Sequence, residues 1–159
     1  MSISIPIHIY SDGSYFEKKS TGGWGAVLFE ATPTLHELSR ISGTKHHTCS
    51  LEMELTAAYN GLKLLEKVLK NSSEKNDQIT IFTDSRVLLE GLEQKIQHWR
   101  QKKWIHKSGN PVKYQSLWES LDSLTQKYQV NWCWVKGHNG NLGNTLADQL
   151  AREATTASR

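Results

Sequence analysis

The sequence predicts an α/β domain built on a five-stranded mixed sheet covered by helices on both faces. Three observations carry this. Ile3, Ile5, Ile7 and Ile9 alternate with Ser, Pro and His, the period-two pattern of a strand with a buried face. Leu51, Leu55, Ala58, Leu62, Leu65 and Leu69 step by four and three, as on an amphipathic helix. Beyond residue 79, short apolar stretches alternate with helical patterns, which implies parallel strands joined through helices.

The first strand covers Ile3 to Ile9. Pro6 sits awkwardly there, because proline cannot donate to a strand ladder. WGAVLFE (24–30) and Leu35 to Ser42 read as the second and third strands, with Gly22-Gly23 and Pro33 as turns. Short links between the three suggest an antiparallel meander. The leucine stripe then sets a long helix with Ser50 as its N-cap, and Asn71 to Asp77 is a polar turn. ITIFT (79–83) is a short strand, followed by a helix over about Ser85 to Gln94. A basic segment comes next, in which Gly109-Asn110-Pro111 signals a loop. Leu117, Trp118, Leu121 and Leu124 mark another helix, VNWCWV (130–135) a last strand, and about Asn144 to Ala154 a last helix.

The chain has 159 residues, 37% hydrophobic and 22% charged, which suits one globular domain over 1–159. No apolar run approaches the roughly 20 residues of a membrane span. MSISIPIH lacks a basic n-region, and two cysteines, Cys49 and Cys133, make no disulfide framework. These features suggest a cytoplasmic protein away from membranes, and no obvious interface stripe departs from a monomer. Net charge is +3, unevenly spread: six Lys/Arg and no acid lie between Lys95 and Lys113, against 13 basic and 16 acidic residues elsewhere. Such a basic segment points to a polyanionic partner.

Asp12 and Asp84 each follow an apolar strand, where ligands of open α/β sheets bind. Two facing aspartates are unfavourable without a cation, and magnesium prefers such hard oxygen ligands. Each also has a plainer reading: Asp12 in SDGS as an Asx-turn residue, Asp84 in TDSR as a helix cap. On the long helix, at about 100° per residue, Glu54 lies roughly 60° from the leucine stripe and Glu52 roughly 100°. Glu54 is therefore the acid at the buried margin, and Glu52 tends toward solvent as a first-turn acid. Asp148, flanked by Leu146, Ala147 and Leu150, is costly on an apolar border unless partnered. His138, in the glycine-rich KGHNGNLGN, is either surface decoration or, beside a metal site, a proton carrier.

Four motifs in order, SDGS with Asp12, MELTAA with Glu54, FTDS with Asp84, and WVKGHNGNLGNTLADQLA with His138, Asn144 and Asp148, resemble those of type 1 ribonucleases H. The resemblance runs from about Ile5 to Ala154. It implies a ribonuclease H-like fold and an endonuclease that cuts the RNA strand of RNA–DNA hybrids, leaving 5′-phosphate and 3′-hydroxyl ends. It also implies two Mg²⁺ ions, with Mn²⁺ as a substitute, held by Asp12, Glu54, Asp84 and Asp148, with Asp12 bridging both. His138 would relay a proton and help product leave. Asn144 would orient water or that histidine, and RNA would be told apart through its 2′-hydroxyls.

KIQHWRQKKWIHK resembles the basic protrusion of the family, about 95–113, which packs against the DNA backbone. Lys95, Arg100, Lys102 and Lys103 would attract phosphates. Trp99 and Trp104 either touch substrate or pack in the core. Ser14 and Ser50 complete the expected substrate contacts. The chain departs from the family in two places. YFEKKSTGG (15–23) stands where an Asn-Pro-Gly-rich turn is usual, and Cys49-Ser50-Leu51 replaces a Thr-Asn-Asn stretch. His46, His47 and Cys49 form no zinc set, because no fourth ligand lies near in sequence. A DDE-type recombinase core or a non-catalytic nucleic-acid-binding module on the same fold are the alternatives.

Overall fold

The computed structural model describes residues 5–70, 78–137 and 141–157. Strands β1 (Ile7–Phe16), β2 (Thr21–Ala31) and β3 (Leu35–His46) form the meander, and the long helix α1 (Ser50–Lys70) follows. Next come β4 (Ile79–Thr83), α2 (Arg86–Glu90), a π-helical stretch (Gly91–Lys95) and α3 (Ile96–Gln101). Helix α4 (Gln115–Lys127), β5 (Asn131–Trp134) and α5 (Leu142–Ala157) complete the chain. The polar turn expected over Asn71 to Asp77 lies outside the described residues.

The five strands stand in the order β3-β2-β1-β4-β5. β1 and β3 run antiparallel to β2, whereas β4 runs parallel to both β1 and β5. Alternation sorts the side chains of β1 between two layers. Ile7 and Ile9 pack with Leu28, Ile79 and Ile81 against Leu55, Leu62 and Leu65 of α1 and Trp118 and Leu121 of α4. Tyr10 faces the other way, with Val27 and Phe29, onto Ala147 of α5. Helices α1 to α4 thus build the larger core on one face, and α5 alone covers the other. None of the helices among the described residues is long and apolar enough to cross a membrane.

Several local expectations move. β1 begins after Pro6, whose carbonyl accepts from Ala31 N–H at 3.0 Å, so the proline costs the ladder nothing. Gly22 and Gly23 are not a turn. They pair with Tyr15 and Ser14 inside the β1–β2 ladder. The reversal is made by a 3₁₀ turn at Glu17–Lys19 closed by Ser20 at φ 48°. Ser50 opens α1 as its first residue rather than capping it, and Met53 N–H donates to the Cys49 carbonyl. The helix after β4 does not stop at Gln94 but continues through the π-helical stretch and α3 to Gln101. At Gly91, where that stretch starts, a Cβ would lie 2.2 Å from the Trp118 ring. The ring thus lies directly on the helix backbone where the π-helical stretch starts.

Candidate active site

Asp12 lies within a strand rather than beyond one. Parallel pairing with β4 ends at Tyr10↔Phe82, but antiparallel pairing with β2 continues through Asp12↔Gly25 to Phe16↔Thr21. The carboxylate is therefore fixed by β2 on one side and faces the gap beyond β4 on the other. Its neighbours are chosen for closeness. A Cβ on Gly13 would sit 2.7 Å from the Glu54 nitrogen, so the start of α1 lies directly on the strand. A Cβ on Gly25 would sit 2.6 Å from Leu150 Cβ and 3.1 Å from the Ala147 carbonyl, so α5 lies equally close. Glu54 and Asp148 reach Asp12 because two side chains are missing.

Asp84 follows the last β4–β5 pair, Thr83↔Trp134. It is not the cap of α2. Ser85 takes that place, its Oγ accepting from Leu88 N–H at 3.2 Å. One oxygen each from Asp12, Glu54 and Asp84 lie within 4.8 Å of one another. Asp148 is not one of that group, but it lies near enough to Asp12 to raise the Asp12 carboxyl. Asp148 Oδ2 is held by Arg152 at 2.5 Å, one helical turn on. Glu54 and Asp84 open into a cleft of about 380 Å³ lined also by Ser50, Leu51, Ser85, Arg86 and Val87.

Buried like charges shift the titration of these acids. Asp12 is 4% exposed. Burial first, then the Asp84 charge and the contact with Asp148, push its carboxyl up to about 8, against the pull of the Gly13 N–H. That N–H donates to Asp12 Oδ1 at 2.9 Å. Glu54 is held well above the ordinary glutamate range by burial and by Asp12 and Asp84. Its Oε2 is buried with no hydrogen-bond partner. Without a cation, this cluster keeps protons that carboxyls normally give up by neutral pH.

The other expected site residues divide. Asn144 is buried at the start of α5, with its Oδ1 unpartnered. Ser14 is half-buried in β1, and Ser50 is exposed on the cleft wall. Lys95, Lys102 and Lys103 are exposed; the last two line a depression of about 450 Å³ with His98, Ile105, His106 and Lys107. Arg100 is tied to Asp122 of α4. Trp104 is buried, and Trp99 packs between it and Trp118 at ring separations of 5.7 and 5.2 Å. Trp104 belongs to the core, and Trp99 lies half-buried against it. His138 lies outside the described residues.

Glu52 corrects the helical-wheel reading. It is 8% exposed, with Lys45 Nζ at 2.5 Å and the Thr48 hydroxyl at 2.6 Å. Burial raises its pKa, but Lys45 and Thr48 outweigh burial and the group titrates below its usual value. The extended third strand brings Lys45 over this turn of α1, which the wheel could not show. Sequence reasoning also missed Trp134, whose indole Nε1–H donates to the Asp84 carbonyl at 3.2 Å. Nothing short of the β4–β5 register would have revealed that contact.

A mixed sheet whose parallel strands end at a group of carboxylates is an α/β domain with a candidate divalent-cation site at that edge. The ribonuclease H family model matches residues 5–156. Among the similar proteins, a ribonuclease H of Francisella philomiragia is 40% identical over 146 residues, covering 91% of this chain and 88% of that protein. One from Pelobacter propionicus is 38% identical over 154 residues, covering 97% and 87%. In structure, the chain is similar to LC9-RNase H1, a type 1 RNase H with the type 2 active-site motif. The TM-score is 0.79 at 22% identity, over 99% of this chain and 75% of that one. LC11-RNase H1, solved in complex with RNA/DNA hybrid, gives a TM-score of 0.71 at 16% identity, over 96% and 98%. The chain belongs to the ribonuclease H family of enzymes.

Proposed function

We propose that the protein hydrolyses the RNA strand of RNA–DNA hybrids with two divalent cations, giving 5′-phosphate and 3′-hydroxyl ends. The observation that carries this reading is the convergence of Asp12, Glu54 and Asp84, from β1, α1 and the end of β4, within 4.8 Å. The donor set fits a cation. All its atoms are hard oxygens, which favours Mg²⁺, with Mn²⁺ as a substitute. The unpartnered Glu54 Oε2 is a buried acceptor that a cation would satisfy.

Asp12, Glu54, Asp84 and Asp148 would hold the pair of ions. Bound there, the ions supply an activated water near neutral pH and neutralise charge at the departing 3′ oxygen. The protein's own part is to keep four like charges together. The β1–β2 ladder fixes Asp12, and the glycines at 13 and 25 admit α1 and α5. Arg152 orients Asp148 through Oδ2. His138 would carry the proton, and Asn144 would order the water or that histidine. Ser50 on the cleft wall would donate to a substrate 2′-hydroxyl. Lys95, Lys102 and Lys103 would draw in the DNA strand by counterion release.

The test is cleavage of end-labelled substrates with Mg²⁺. Hybrid should be cut in its RNA strand only. Cutting of duplex DNA would favour a recombinase-type core, and binding without cutting a non-catalytic module.

A further inference from the structure

We propose that Trp134, with its ring covered by Arg86, is a positioning residue that sets Asp84 for cation binding. The inference rests on the reading of Asp84 as a metal ligand. Asp84 stands one residue past the β4–β5 ladder, whose last rung is Thr83↔Trp134 with Val135 N–H on the Thr83 carbonyl at 2.9 Å. At this point regular pairing ends and the chain turns into α2. The Trp134 indole extends the ladder by one side-chain bond, donating Nε1–H to the Asp84 carbonyl at 3.2 Å. That bond fixes the peptide from which the carboxylate hangs.

The indole is itself fixed. The Arg86 guanidinium stacks over it at 4.1 Å from the ring centroid, a cation–π contact between the first residue of α2 and the last of β5. Trp134 is 39% exposed, so its ring meets the Arg86 guanidinium at the surface while its N–H reaches inward to the Asp84 carbonyl. On the carboxylate side, a Cβ on Gly137 would lie 2.9 Å from Asp84 Oδ2. The end of β5 and the segment after it therefore approach Asp84 at its carbonyl and at its carboxylate, respectively. Groups that orient a metal ligand from behind typically change cation affinity by about 10- to 100-fold. A bond to the ligand's main chain belongs at the low end of that range.

The full chain is titrated with Mn²⁺ alone, following free ion by electron paramagnetic resonance, alongside thermal melting in EDTA. Trp134→Phe keeps a stacking ring and removes the donor. It should weaken Mn²⁺ binding about tenfold while melting in EDTA like the parent. The KM for hybrid at saturating Mn²⁺ should stay within about twofold, since the residue acts through Asp84. Should the phenylalanine variant melt lower, benzothienylalanine at 134 decides the matter, because it keeps the indole shape and lacks only the N–H. Mn²⁺ affinity within about twofold of the parent in that protein overturns the inference. No Mn²⁺ binding by the parent itself would instead overturn the metal-ligand reading of Asp84, a distinguishable failure.

Discussion

Replacing Asp12 by Asn should make the metal-free protein more stable while removing its response to Mg²⁺. The Asp12 carboxyl is raised from 3.8 to about 8 by burial and by Asp84 and Asp148. An acid with a raised folded pKa destabilises the fold when it ionises. The cost is absent below the unfolded value, grows as pH climbs from about 4 to about 8, and is constant above that. A shift of about 4 units at about 1.4 kcal/mol each sets a ceiling of roughly 5–6 kcal/mol. The repulsion is shared, and Asn still buries a polar group, so a net gain of about 2–4 kcal/mol is expected at pH 8.5. For a chain of this length, that is a Tm rise of roughly 5–15 °C in EDTA. At pH 5 the parent is already largely protonated at this site, and the gain should shrink to about 1 kcal/mol or less. Added Mg²⁺ at about 100 times Kd should raise the parent by about 2.7 kcal/mol and leave the variant unmoved. Differential scanning calorimetry in EDTA and in Mg²⁺ at both pH values reads all of this. A variant no more stable than the parent at pH 8.5, or a gain that persists at pH 5, would refute the reasoning.

The remaining expectations are simpler. Gly13→Ala places a methyl 2.7 Å from the backbone of α1. It should cost about 1–3 kcal/mol and pull Glu54 away from Asp12; parent-like melting with full cleavage would contradict the close approach. Trp104→Ala should lose about 3–5 kcal/mol in urea titration, because the ring is buried against Trp99. A large loss of hybrid affinity at unchanged stability would return Trp104 to the substrate surface. Changing Lys102 and Lys103 together to Ala should lower the slope of log affinity against log salt by about 2 for hybrid and leave melting alone. An unaltered slope would remove them from the interface.

The sequence pattern located most elements because their periodicity is local. Ile79 to Thr83 matches the fourth strand residue for residue, and the leucine stripe matches α1. Failures came where a distant partner decides. Gly22 and Gly23 look like a turn, yet they pair within the sheet and are glycines where α1 and α5 come close to β2: their Cβ positions would lie within 2.5 Å of Met53 and of α5. Glu52 looks solvent-bound until the far end of β3 brings Lys45 to it. The motifs around Asp12, Glu54 and Asp84 were legible as chemistry, whereas the indole behind Asp84 belongs to a residue 50 positions away. The tryptophans of the basic segment read equally well as surface or core, since the side chain deciding between them, Trp118, lies in another helix.

The four acids proposed to hold the cations come from β1, from α1, from just past β4 and, at position 148, from α5. The proposed set therefore stays incomplete until α5 has docked on the sheet. On the reading proposed above, nuclease chemistry therefore waits on α5, however much of the sheet has already formed.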